Sequence, residues 1–158
     1  MKRPIPAACA LGVVLFASAC QPTARSEQAT AFTTESMQKL RWLEGAWRDA
    51  GGGTPYYEVY RFENDSSIRM TYYTDSALTE ARDSGRIYLE AGTIYHLAAR
   101  DRWRAIEVDS AAIVFEAVTE AGRRFTWRRE SPSVWLATLE SRSGSPLVFR
   151  LERVAAAR

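Results

Sequence analysis

The chain has 158 residues, 46% of them hydrophobic, with 21 Lys and Arg against 19 Asp and Glu, a net charge of +2. That length builds one domain with a real core and is too short for two. A balance this close to neutrality lacks the basic surface that nucleic-acid binding requires.

In chain order, Lys2 and Arg3 precede a mostly apolar run from Ile5 to Ala17, and the small residues Ala17-Ser18-Ala19 lead into Cys20. A basic flank, a short apolar core and a small-residue exit describe an export signal. The run is well short of the roughly 20 residues that span a hydrocarbon core as a helix, so it is expected to be cleaved. Ala17-x-Ala19 satisfies ordinary signal processing, and with Cys20 behind it the stretch resembles a lipobox, although Ala17 stands where Leu is usual. Both readings cut before Cys20. The resemblance implies a bacterial lipoprotein carrying its acyl group on Cys20. Multiple acylation anchors firmly where one chain does not. Gln21, in place of an Asp, makes outer-membrane sorting facing the periplasm the expectation, and a soluble periplasmic protein is the alternative.

With residues 1–19 removed, Lys2, Arg3 and Cys9 leave, and the remaining 139 residues carry 19 basic and 19 acidic side chains. Cys20 is then the sole cysteine, so no internal disulfide can form. His96 is the only histidine, which argues against a conventional metal centre; no cofactor is expected. No Gly-x-Ser-x-Gly elbow or phosphate loop occurs, and Gly51-Gly52-Gly53 lacks the Lys-Ser/Thr ending of a phosphate cradle and reads as a turn.

Residues 20–33 are polar, small and aperiodic, as in a tether, leaving 34–158 as the domain. Thr34 is placed to cap a short helix with Met37, Leu40 and Leu43 on one side at three-residue spacing, ending near Gly45. Strands are expected near 46–50, 55–63, 67–75, 85–91, 93–99, 103–109, 112–118, 123–130, 133–140 and 146–154, separated by turn-rich clusters. Apolar residues alternate along them: Tyr56, Tyr60 and Phe62; Ile68, Met70 and Tyr72; Ile87 and Leu89; Ile113 and Phe115; Phe125 and Trp127; Leu147, Phe149 and Leu151. Their neighbours, including Arg61, Glu63, Arg69, Arg128 and Glu152, are charged. The pattern predicts an all-β, antiparallel up-and-down barrel of about 8–10 strands after a short helix, with a sandwich as the competing arrangement. A monomer is expected.

Residues 42–48 read Trp-Leu-Glu-Gly-Ala-Trp-Arg. Gly45-x-Trp47 after a short helix resembles the opening signature of lipocalins and related calycin barrels, in which the Trp closes one end beneath an Arg from the last strand. The resemblance implies that role for Arg150, with Arg153 the other candidate. A wider resemblance, to an uncharacterised bacterial family of lipocalin-like domains, rests on Trp-Leu-x-Gly-x-Trp at 42–47, Glu58-x-Tyr60, Val114-Phe115-Glu116 and Trp135-Leu136-Ala137-x-Leu139-Glu140. It covers nearly the whole domain. The family's Asn-Pro and His-Asp-Phe-Pro stretch is replaced here by residues 117–124, and the resemblance implies a fold without an activity.

Within such a barrel, Glu58, His96 and Arg129 fall on apolar faces, where a charge is costly unless paired. With Tyr60, Tyr72 and Trp127 they form a candidate ligand-binding set for a small hydrophobic or amphipathic molecule. The competing account is an internal Glu58–Arg129 ion pair and a satisfied core His96. The aromatic residues Tyr56, Tyr60, Phe62, Tyr72, Phe115, Phe125, Trp127 and Phe149 can wall a cavity or fill it. Arg100-x-Arg102-x-Arg104 reads as a solvated edge or a contact for anionic headgroups. The function expected is a membrane-tethered binding module; the alternatives are a structural or assembly lipoprotein that holds a protein partner, and an enzyme using Glu58 or His96.

Overall fold

The computed structural model describes residues 31–140 and 144–154. The expected signal segment, Cys20 and most of the expected tether lie outside these residues. Ten strands close into one antiparallel barrel in the order β1-β10-β9-β8-β7-β6-β5-β4-β3-β2, so the barrel expectation holds and the sandwich does not. The strands are β1 (Gly45–Asp49), β2 (Tyr57–Asn64), β3 (Ser67–Tyr73), β4 (Ala81–Glu90), β5 (Thr93–Ala98), β6 (Asp101–Val108), β7 (Ala112–Ala117), β8 (Arg124–Ser131), β9 (Val134–Leu139) and β10 (Leu147–Arg153). Closure comes from Trp47 pairing with Arg153 between β1 and β10, which leaves no strand edge open.

The alternation in the sequence becomes inside and outside. Tyr60, Ile68, Met70, Ile87, Ile94, Ile113, Phe115, Trp127, Trp135 and Leu151 are buried, whereas the intervening charges face water. There they pair across strands: Arg102 with Glu90, Arg104 with Glu116, and Arg150 with Glu130. Two members of the arginine run are therefore held by neighbouring carboxylates on the outer wall.

One end of the barrel is plugged. Helix α1 (Thr34–Gln38) runs into a 3₁₀ turn, Lys39–Leu43. Thr33 caps it, not Thr34: the Thr33 and Ser36 side chains exchange hydrogen bonds with each other's backbone N–H. A hydroxyl at position 33 stands three residues before the free N–H of Ser36, the spacing a capping box needs. The three-residue spacing of Met37, Leu40 and Leu43 suits a 3₁₀ repeat of three residues per turn, and all three are fully buried. Each contributes about 1.5–3 kcal/mol through burial. Phe32, at the end of the expected tether, is also fixed here, its N–H donating to the Gly92 carbonyl at 2.8 Å. Ala91 and Gly92 form a two-residue turn between β4 and β5 with φ of 47° and 77°, the conformation that such a hairpin favours. A Cβ on Gly92 would stand 2.9 Å from the Ala31 side chain.

The plug is locked by one cation. The Arg153 guanidinium lies 4.2 Å from the centre of the Trp47 ring. It donates to the carbonyls of Glu44 at 2.9 Å, Trp42 at 3.1 Å and Pro132 at 3.1 Å. Trp47 in turn donates its indole N–H to Leu43 at 2.6 Å. The residue over Trp47 is therefore Arg153 and not Arg150. Alternation places Leu147, Phe149, Leu151 and Arg153 on the inner side of β10 and turns Arg150 outward.

Candidate functional site

The turns at 64–67, 90–93 and 131–134 lie at the plugged end, so the loops 50–56, 74–80, 99–100 and 118–123 surround the other end, the mouth. Inside the mouth is a cavity of about 270 Å³ lined by Tyr56, Glu58, Tyr60, Tyr72, Phe125, Trp127, Trp135, Ala137, Phe149 and Leu151. A wider outer cavity of about 500 Å³ shares Tyr56 and Tyr72 with it and reaches Arg82, Asp83 and Asp101 at the rim. Between cavity and plug the barrel is filled by tightly packed aromatic side chains. Trp135 touches Trp42, Trp47, Tyr60 and Trp127 at ring separations of 6.0, 6.2, 6.1 and 5.3 Å.

Glu58 is the acid of this cavity. It sits opposite Trp47 on β1 and Tyr72 on β3, in the inward phase of β2, and is 7% exposed. The Tyr60 hydroxyl donates to its carboxyl group at 2.6 Å. Burial pushes the Glu58 carboxyl up to about 7, Asp49 nearby adds to the rise, and the Tyr60 hydrogen bond opposes it. The same burial, together with the Glu58 charge, drives the phenols of Tyr56, Tyr60 and Tyr72 well above their ordinary range. These remain neutral donors. Among the described residues, the cavity lining contains no lysine or arginine.

His96 lies deeper and does not line the cavity. It is 2% exposed and packed against Trp127 at 4.9 Å, Phe115 at 5.4 Å and Phe125 at 6.2 Å. Neither ring nitrogen has a hydrogen-bond partner among protein atoms, nor do the indole nitrogens of Trp127 and Trp135. Burial alone pushes the imidazole down to about 3, so it is neutral at physiological pH.

Of the six residues expected to bind ligand, the fold brings Glu58, Tyr60, Tyr72 and Trp127 together. Arg129 is elsewhere: it is exposed near the plugged end and donates to the Ser131 carbonyl at 3.3 Å. Arg129 keeps the phase of Phe125 and Trp127, opposite Trp135, and the β8–β9 pairing slips only after it; it stands at the end of the strand, past the buried stretch, and its side chain is exposed. No ion pair with Glu58 forms. Trp135, Ala137 and Leu151 complete the wall; their positions on inward phases of β9 and β10 were the signal for them. Among the described residues, no group of three or more His, Cys, Asp or Glu is placed to hold a metal ion. No helix among them is long and apolar enough to cross a membrane.

Comparison with known protein families and with curated proteins finds no match to this chain. The geometry of the cavity is therefore the basis for a functional reading.

Proposed function

We propose that this chain is a lipocalin-like envelope lipoprotein, acylated at Cys20, whose barrel captures a small hydrophobic or amphipathic molecule through its mouth. The observation that carries the reading is the aromatic-walled cavity, with a single buried carboxyl group held by Tyr60. Apolar concavities with few convergent polar groups are the usual form of small-molecule sites. At about 270 Å³ the inner chamber is near the lower limit of such sites, roughly 300 Å³, so the guest is small or extends into the outer cavity. An enzyme is less well supported. His96 lies outside the cavity lining, so it is not placed to act as an acid or base beside Glu58.

Two measurements test the reading. Native mass spectrometry of the protein purified from a bacterial envelope is expected to show a released small molecule, and barrel protein whose only mass is that of the polypeptide and its acyl group would count against capture. Labelling with radioactive palmitate is expected to mark the wild type and not Cys20→Ser. Equal labelling would remove the lipoprotein assignment.

A further inference from the structure

The proposed function leaves the chemistry of the guest open, and the cavity wall narrows it. Among the described residues, the inner chamber presents one carboxyl group, three phenols and the rings of Phe125, Trp127, Trp135 and Phe149, without a cationic side chain. We propose that the guest is a small organic cation, a quaternary or tertiary ammonium compound, seated among the aromatic rings with its charge against Glu58. This rests on the capture reading above and specifies its ligand class.

The electrostatics favour a cation over the alternatives. Aromatic faces carry partial negative charge and attract cations most strongly where water is excluded. An anionic headgroup would meet those same faces and Glu58, with no guanidinium or ammonium among the described lining residues to receive it. A purely apolar guest would leave Glu58 sealed under hydrocarbon, its charged form unpaired. Alkylated ammonium groups suit the site because they need few hydrogen bonds in return for their hydration. The groups facing Glu58 are Tyr56 and Tyr60 on its own segment, Tyr72 from β3 and Asp49 from β1. None is basic. At the rim, Asp83 and Asp101 outnumber Arg82, which favours entry of positive charge.

The test uses three probes of similar size: trimethylphenylammonium, its neutral isostere tert-butylbenzene, and benzoate. Binding is read by the fluorescence of the wall tryptophans and by calorimetry. At pH 8 the ammonium probe is expected to bind at least tenfold more tightly than tert-butylbenzene, with benzoate weakest. Because the carboxylate form is required, that advantage falls by about tenfold per pH unit below 7. In Glu58→Gln the two affinities converge to within about threefold. Equal binding of tert-butylbenzene and the ammonium probe by the wild type at pH 8, or preference for benzoate, overturns the cation assignment and leaves small-molecule capture standing. Absence of binding by all three overturns both. Should Glu58→Gln fail to fold, the pH series on the wild type decides alone.

Discussion

Glu58 and His96 are both buried in the barrel, and burial moves them in opposite directions: Glu58 rises from 4.5 to about 7, and His96 falls from 6.5 to about 3. Between about pH 5 and 6.5 the unfolded chain ionises Glu58 while the folded chain keeps it protonated, so its contribution to stability is lost as pH rises. Over the same interval the unfolded chain protonates His96 while the folded chain keeps it neutral, so its contribution is lost as pH falls. Each slope is about 1.4 kcal/mol per pH unit, and they cancel. Urea unfolding of the wild type should therefore be nearly flat across this window. Glu58→Gln should become more stable as pH rises and His96→Leu less stable. At pH 8 Glu58→Gln should exceed the wild type by about 3 kcal/mol, and identical pH profiles for the three proteins would mean that neither group is buried as described. Glu63, Asp75 and Glu116, whose carboxyls are held low by hydrogen bonds, act below this window. The inward position of Glu58 was legible from its phase with Tyr60 and Phe62. Arg129 shares the phase of Trp127 as its spacing indicated, but it is exposed at the strand end, and a period of two does not say where a strand leaves the core. Choosing Arg150 over Arg153 ignored a phase that Leu147, Phe149 and Leu151 already displayed.

The plug and its clamp set the next scale. Arg153 joins three pieces of backbone, the 3₁₀ turn, the start of β1 and the β8–β9 turn, through a planar group that Lys cannot imitate. Arg153→Met is expected to lower stability by about 2 kcal/mol, from lost hydrogen bonds and cation–π attraction. Arg153→Lys should recover less than half of that in denaturant titration, and full recovery would reduce the clamp to simple charge. Gly45 explains the rest of the signature. Its φ is 120°, and a Cβ there would stand 2.6 Å from an Arg153 guanidinium nitrogen. Gly45→Ala should therefore cost more than the roughly 1 kcal/mol of backbone strain alone, and it should largely mask a further loss from Arg153→Met in the double variant. Independent, additive losses would show that the two positions do not interact. The helix was legible because its apolar residues recur every third position. Its cap was placed one residue late because Thr33 and Thr34 offer the same hydroxyl, and only the partner Ser36 distinguishes them.

At the scale of the whole molecule, alternating apolar and charged residues over ten short segments were enough to specify a closed wall, because a register error would turn each ionic row inward. Whether the interior was hollow was not legible. It depends on how Trp127, Trp135, Tyr60 and Phe149 share volume, which periodicity does not encode. Closure depends on the last strand, since β10 alone joins β9 to β1. A chain ending at Pro146 should expose two strand edges and the Trp47 face, and should elute as aggregates in size-exclusion chromatography. A monomeric, cooperatively folding product would contradict the closed arrangement. The anchorage of Phe32 at the Gly92 turn has a spatial consequence. Ala31, the first described residue, stands at the floor of a cup, opposite its opening. With an acyl group on Cys20, a lipid leaflet would underlie that floor while the opening looked into the aqueous compartment. Under the proposed function, a guest would then arrive by diffusion through water and not by sliding sideways out of the leaflet, a route suited to solutes that dissolve freely.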